Sequence, residues 1–324
     1  MRIVFVCGDN TGSLPGNIVD WINKKTENTA ILIYGYSKYN FKIPAKSLMM
    51  RYSYMERIFN ILYNSDIIIF NDPMIPGISY HFYNQFKEEI HVDFSDVISN
   101  KKVIRMANGT YYRKNHKKII LEQISKYNLK NIITTPDLFY NNEDIWWIPF
   151  ANILKETTEV MKKKWLLKNL ELYLPYNKHT LKGVISFEKI KRIKKYGVNV
   201  VNIGRYLKQK EYLEKLEKDI HFFPSTLTLD KSLQTMGLVN PESMSRFVFS
   251  FCALSKTVKE RWIERTGSVP PVVEADITNI DEKIIEVLNW DYDKKIKYLK
   301  NAFEWAKKYY HIDKNMEKFM ELII

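Results

Sequence analysis

One stretch of the chain combines residue types suited to holding a charged, hydroxyl-rich ligand. His221-Phe-Phe-Pro-Ser225 reads as a short apolar strand ending in Pro-Ser, and Gln234-Thr-Met-Gly237-Leu238-Val-Asn-Pro-Glu242-Ser-Met follows it. The pattern predicts a loop carrying Gly237 and Leu238, then an apolar helix over Glu242–Leu254 opened by the acid. A carboxylate and several free backbone N–H groups would then share one spot on the edge of a sheet. Open α/β sheets bind ligands at such strand ends, and helix N-termini suit phosphates and ribose hydroxyls.

The elements that must position these groups alternate along the chain. Arg2–Cys7, Ala30–Ile33, Asp66–Phe70, Lys102–Met106, Asn131–Thr134 and Trp146–Pro149 are short apolar runs rich in β-branched residues. Helical spacing is expected between them, over about Asn17–Lys25 and over Lys114–Tyr127 with its apolar Ile119, Ile120 and Ile124. A lysine-rich helical segment over Asn152–Asn169 precedes a second series. That series reads as strand Leu170–Leu174, helix Val184–Lys195, strand Val198–Ile203, helix Lys210–Glu217, strand Ile220–Phe223 and, after the helix from Glu242, strand Val272–Glu274. Helices over Asp281–Leu288, Asp293–Tyr309 and Lys314–Ile323 close the chain. Near-continuous apolar strands alternating with helices indicate parallel sheets covered on both faces.

Length and composition bound the answer. The 324 residues are enough for two domains, and 45% apolar with 14% aromatic residues supply a core for each. No apolar run approaches the roughly 20 residues that a membrane-spanning helix needs. The segment before Gly8-Asp9-Asn10 is too short for a signal-peptide core and reads as a first strand. Cys7 and Cys252, one in an expected strand and one in an expected helix, read as reduced thiols of a cytoplasmic protein. The net charge of +13 is mostly lysine spread along the chain. It favours anionic ligands, nucleic acid or an acidic membrane surface without choosing among them.

The order of these segments resembles the GT-B glycosyltransferases, in particular glycosyltransferase family 4. Its donor site reads E-G-F-G-L-x-x-x-E-A-M after a strand ending in P-S; Gln234 and Glu242 keep the spacing of the two family glutamates, and Gly237-Leu238 match the middle. Leu174-Pro-Tyr-Asn-Lys178-His-Thr-Leu-Lys182-Gly183 resembles the family's P-x-N-R-x-x-K-G, and Val103-Ile-Arg-Met-Ala-Asn108-Gly109-Thr-Tyr-Tyr-Arg113 its H-G-S-x-x-R. Ile133-Thr-Thr-Pro-Asp137-Leu resembles the T-x-P-D-L that precedes the interdomain crossing. Val269-Pro-Pro-Val-Val-Glu274-Ala-Asp276 resembles a late strand of the family, and Trp305-Ala-Lys-Lys-Tyr-Tyr310 its closing helix. The resemblance implies an α/β fold of two doubly wound Rossmann-like domains facing across a cleft. Residues 1–154 would form the acceptor side and 155–308 the nucleotide-sugar side, with 309–324 as a terminal helix crossing back.

By the same resemblance, the donor is a nucleotide diphosphate sugar and no further cofactor is required. Lys178 and Lys182 would hold the diphosphate, Glu242 the ribose hydroxyls, Gly204 the neighbourhood of the base, and Gly237, Leu238 and Gly12 the backbone around donor and phosphates. Asn108 and Gln234 occupy the positions of the family's catalytic-site histidine and first glutamate. Both depart from the pattern, and an amide cannot stabilise developing oxocarbenium charge as a carboxylate would. A retaining, metal-independent transfer to an acceptor hydroxyl on a glycan, a lipid-linked carrier or another molecule follows. The departures keep open a GT-B protein that binds nucleotide sugars without transfer, or an epimerase-like enzyme.

Other signals lead elsewhere or nowhere. Met161–Leu167 (MKKKWLL) and Lys114-Asn-His-Lys-Lys118 mix cations with apolar or aromatic groups, as a surface meeting acidic lipid would, which suggests the inner membrane surface; solvated helix faces would look the same. A basic nucleic-acid-binding protein is the other alternative, but arginines interleaved with aromatics on one element are missing. Asp291-Tyr-Asp293 has the form of a metal-binding DxD, yet it lies between two helical patterns and reads as a helix N-cap. The six histidines show no ligand spacing, so no metal site is expected.

Overall fold

The computed structural model describes residues 1–9, 14–36, 43–72, 79–84, 86–98, 101–107, 109–125, 127–166, 169–175, 185–203 and 209–324. Met1–Thr134, Leu138–Trp147 and Met316–Ile324 form one compact unit; Thr135–Asp137 and Ile148–Asn315 form a second.

The first unit contains β1 (Arg2–Asp9), α1 (Leu14–Lys25), β2 (Thr29–Tyr36), β3 (Ser47–Met49), α2 (Met55–Tyr63), β4 (Ile67–Asn71), β5 (Ser79–Tyr83), β6 (Glu89–Asp93), α3 (Ser95–Ile98), β7 (Lys102–Ala107), α4 (Thr110–Ile119), β8 (Lys130–Ile133) and β9 (Ile145–Trp146). Its sheet has the order β3-β2-β1-β4-β7-β8-β9, all parallel. Ile3–Cys7 of β1 and Ile68–Phe70 of β4 are fully buried, which is why these strands read as unbroken apolar runs. Asn23 clamps α1 to the start of β2: its side chain donates to Val19 O and Ala30 O and accepts from Ala30 N. The antiparallel hairpin β5–β6 stands apart from this sheet.

A buried polar chain runs across the same sheet from β4 to β9. Arg105 donates to Asp72, which directly follows β4, and to Asn131 at 2.9 Å, and its guanidinium lies 4.4 Å from the centroid of the Tyr112 ring. Asn131 donates in turn to Asp144 at 2.6 Å, and Asp144 accepts from Tyr140 N and Asn141 N. A charge with no exposure is tolerable only because the neighbouring carboxylate and amide meet it.

The second unit contains α5 (Glu159–Lys163), β10 (Leu170–Pro175), α6 (Phe187–Lys195), β11 (Val198–Ile203), α7 (Gln209–Lys218), β12 (Phe222–Pro224), α8 (Val239–Met244), β13 (Phe249–Cys252), α9 (Lys256–Thr266), β14 (Val273–Glu274), α10 (Ile280–Leu288) and α11 (Tyr292–Tyr309). The sheet order is β11-β10-β12-β13-β14, again parallel. Asp291 caps α11 by accepting from Lys294 N at 2.7 Å, as the helix-cap reading of Asp291-Tyr-Asp293 requires. The last helix, α12 (Ile312–Ile323), belongs to the first unit from Met316 onward. There Phe319 lies against Phe5 and Trp147, while Lys102 and Lys130 donate to the carbonyls of Ile324 and Leu322. Cations at the end of a helix meet carbonyls that have no partner within it.

Two expectations are corrected. The helix over Glu242–Leu254 is instead the six-residue α8 followed by β13. Phe247 adopts φ 56° between them, a left-handed turn that no continuing helix permits. Every residue from Asn240 to Leu254 is buried, so the run carries no helical periodicity, and its Phe-Val-Phe-Ser-Phe core suits a central strand. Cys252 therefore sits in a strand; it and Cys7 are buried and form no disulfide.

The lysine-rich helix is likewise short, α5 plus a 3-10 turn over Lys164–Leu166. Met161, Lys164 and Trp165 are buried within it. Those three side chains of MKKKWLL are core and cannot meet lipid, whereas Lys163 and Leu166 are exposed. Lys164 Nζ donates to the carbonyls of Leu216, Ile220 and Arg246 at 2.8–2.9 Å. His221 completes the lock: its Nδ1 accepts from Glu171 N and its Nε2–H donates to Lys164 O at 2.9 Å. Burial pushes the imidazole down to about 4, so it works as a neutral tie.

Candidate functional site

In the second sheet the first strand, β10, lies between β11 and β12, so chain direction across the sheet reverses at the β10/β12 pair. The carboxyl ends of strands at such a reversal leave a crevice because their loops diverge to opposite sides. The loops leaving β10 and β12 carry the residues singled out above.

A buried amide organises the β12 side. Asn240 has no exposed surface; its Oδ1 accepts from Gly237 N at 2.9 Å and Ser225 Oγ at 3.0 Å, and its Nδ2 donates to Ser250 Oγ at 2.7 Å. One side chain thereby joins the end of β12, the Gly237 turn and β13. Nothing in Val-Asn-Pro-Glu marked it beyond an ordinary turn. Gln234 ties the next loop down, its Nε2 donating to Thr228 O at 3.0 Å and its carbonyl accepting from Ser255 N. The Gln234 Oε1 carries no hydrogen bond to a described residue. A Cβ on Gly237 would meet only Val239 and Asn240 atoms at 3.9–4.0 Å, so the local fold does not demand glycine there. Leu238 is the N-cap of α8 without a side-chain cap of its own.

Glu242 is the fourth residue of α8, not its opening acid, and the helix is too short for a dipole argument. The carboxylate is 8% exposed and accepts from Asn152 N at 3.4 Å. Burial pushes its pKa up to about 7, against the opposing pull of the Arg246 guanidinium and Asn152. Arg246 Nη1 donates to Asn152 O at 2.6 Å, to Glu242 O at 3.1 Å and to Ser245 Oγ at 3.1 Å, while its Nε is buried without a partner among the described residues. The hydroxyl of Tyr212, on α7, is also buried beside Glu242, and burial raises its pKa well above that of a free tyrosine. Buried polar groups with incomplete hydrogen bonding mark a place where water or ligand completes them.

The remaining expected residues lie outside the described ones: Gly12, Asn108, Lys178, Lys182 and Gly204. Each nonetheless follows the carboxyl end of a described strand, β1, β7, β10 (for both lysines) and β11. Asn240 and Arg246 are the two residues of the site that the sequence did not reveal.

No protein-family model and no curated protein sequence matches the chain. Solved structures do match it over its whole length. An α-glucosyltransferase in complex with UDP and a 13-mer DNA containing a central A:G mismatch has a TM-score of 0.66 at 12% identity, over 100% of this chain and 99% of that one. HepE of Anabaena in complex with UDP-glucose gives 0.63 at 11% identity, over 99% and 98%. WaaG, a glycosyltransferase involved in lipopolysaccharide biosynthesis, gives 0.56 at 8% identity, over 99% of both chains.

The chain has the GT-B fold. At such identities the likeness shows architecture alone, and function must rest on the site. The second unit covers the second domain of the sequence reading, and the Asn240-tied loops stand at the switch point of its sheet. No helix among the described residues is long and apolar enough to cross a membrane.

Proposed function

We propose that the chain is a glycosyltransferase that moves a sugar from a nucleotide diphosphate sugar to an acceptor hydroxyl, with retention and without a metal. The observation that carries this reading is the buried Glu242 carboxylate, only weakly satisfied by protein, beside loops fixed by Asn240 at the switch point of the second sheet. Glu242 would accept hydrogen bonds from the ribose hydroxyls, and Gly237 and Leu238 would line the donor. Lys178 and Lys182, leaving β10, would neutralise the diphosphate as its charge grows. Gly204, after β11, would lie near the base; Gly12 and Asn108, after β1 and β7, would face donor phosphates and sugar. The UDP and UDP-glucose in the α-glucosyltransferase and HepE structures support a uridine nucleotide as the first donor to test.

Gln234 shapes the chemistry. Its Oε1, without a hydrogen bond to a described residue, would orient a sugar hydroxyl, but the positive charge developing at the anomeric carbon would be balanced mainly by the departing diphosphate. Screening nucleotide sugars by thermal shift, then assaying nucleotide release with hydroxyl acceptors, tests the proposal. A nucleotide sugar should raise the Tm and release free nucleotide when an acceptor is present. Stabilisation without release on any acceptor would favour a binding or epimerase-like protein, and indifference to every nucleotide would count against all three.

The acceptor side has one supporting surface. Lys114, Lys117, Lys118 and Leu121 are exposed at helical spacing along α4 and the π-helical segment that continues it over Ile120–Ser125, with Leu121 72% exposed. Cations around an exposed leucine fit an acidic bilayer, which would bring the enzyme to a lipid-linked acceptor. In vesicle flotation the protein should rise with anionic vesicles and not with neutral ones, and the triple change of Lys114, Lys117 and Lys118 to Glu should abolish the difference. Equal recovery on both vesicle types would reject this surface.

A further inference from the structure

Glu242 and Arg246 stand one helical turn apart, and between them they hold both backbone groups of Asn152. Asn152 N–H reaches Glu242 Oε1, and Asn152 O accepts the 2.6 Å bond from Arg246 Nη1. The same Nη1 also holds Glu242 O and Ser245 Oγ, so the guanidinium fixes the end of α8 and the Asn152 peptide together. Two of the three bonds end on backbone carbonyls, and none is spent on the Glu242 carboxylate. That arrangement orients the carboxylate near a positive charge, and the bond it accepts from Asn152 N is a long one at 3.4 Å.

We infer that Arg246 is a positioning residue for the nucleotide donor, holding the Glu242 carboxylate in place and anionic so that it can accept both ribose hydroxyls. The inference rests on the donor role proposed for Glu242. Charged and titratable groups facing the pair are Tyr212 and Glu217 of α7, while Lys164 donates to Arg246 O from the preceding 3-10 turn. Of these, Arg246 is the one whose charge pulls Glu242 toward ionisation, and burial is what it works against. Hydrogen bonds from hydroxyls to an ionised carboxylate are stronger than those to its protonated form, so losing the guanidinium should weaken binding in a pH-dependent way.

The test compares UDP binding by wild type, Arg246→Lys and Arg246→Met in calorimetry from pH 6 to 9, with the titration of Glu242 followed in the ligand-free proteins by carboxyl-selective NMR. Arg246→Met should bind UDP at least tenfold more weakly at pH 7 and recover part of the loss by pH 9. Arg246→Lys should fall between, and in the ligand-free variants the Glu242 midpoint should rise in the same order. A uniform loss of affinity at every pH with an unmoved Glu242 midpoint would overturn the positioning role, leaving Arg246 a packing residue. Wild type that binds UDP while Arg246→Met binds it equally well would overturn it too. Failure of wild type to bind UDP, with the Glu242 midpoint still moving in the variants, would instead sink the donor role on which the inference stands.

Discussion

Replacing Glu242 by Gln is expected to make the protein more stable relative to wild type as pH rises, while weakening nucleotide binding about tenfold or more. The sign follows from linkage. Glu242 is raised from 4.5 to about 7 in the fold. Below pH 4.5 it is protonated in both states and nearly isosteric with Gln. Between pH 4.5 and 7 the folded state keeps a proton that the unfolded chain has released, so wild type loses stability as pH rises. The loss is complete above pH 7 and amounts to about 3 kcal/mol at roughly 1.36 kcal/mol per unit. Gln does not titrate, so urea unfolding at pH 4.5 and pH 8 should show the gap between the two proteins moving by that amount in favour of the variant. His221 titrates in the opposite sense, its folded form losing stability as pH falls from 6.5 toward 4, but both proteins carry it and it cancels. A group that destabilises the free fold at the place where a ligand would use it is what a binding site predicts. A gap that stays constant with pH would mean that Glu242 is not a buried acid.

Lys164→Met should be the most damaging single change outside the site, costing about 3 kcal/mol or more in urea unfolding at ~1–3 kcal/mol for each buried carbonyl left unpaired. Methionine matches the length of the side chain but leaves the carbonyls of Leu216, Ile220 and Arg246 without their donor. Burial also lowers the Lys164 pKa well below that of a free lysine. The folded chain therefore gives up this proton at a lower pH than the unfolded chain does, and the stability wild type holds over the variant should grow as pH rises toward the free-lysine range. A loss under 1 kcal/mol, or an advantage shrinking with pH, would contradict the lock.

The parts of this fold that the sequence discloses are those where burial and periodicity agree. β1 and β4 carry unbroken apolar runs because both faces are covered, and the apolar pattern of β11 marks the same residues, Val198–Ile203, that it occupies. α9 went unread although Ser255 caps it and Gly267 ends it with φ 75°, because an apolar stripe is weak in Lys-Thr-Val-Lys-Glu-Arg-Trp-Ile-Glu-Arg-Thr. α8 and β13 were merged because fifteen consecutive buried residues, Asn240–Leu254, erase any period, and the break depends on one backbone angle at Phe247. Around the site, Glu242 and Gln234 were visible through motif spacing. Asn240 and Arg246 were not, because each acts by bonding residues distant in sequence, Ser225, Ser250 and Asn152 among them, and such partners leave no local pattern. MKKKWLL misled for a related reason: Lys164 looks solvated until three carbonyls converge on it.

The proposed site for a nucleoside diphosphate is the β10/β12 edge of the second unit, beside Glu242. A calorimetric titration of wild type, Glu242→Ala and Lys182→Ala with UDP tests it most directly. Saturable one-to-one binding by wild type, weakened at least tenfold in each variant, is the predicted result. Binding that ignores both substitutions, or no heat from wild type at any accessible UDP concentration, would contradict it.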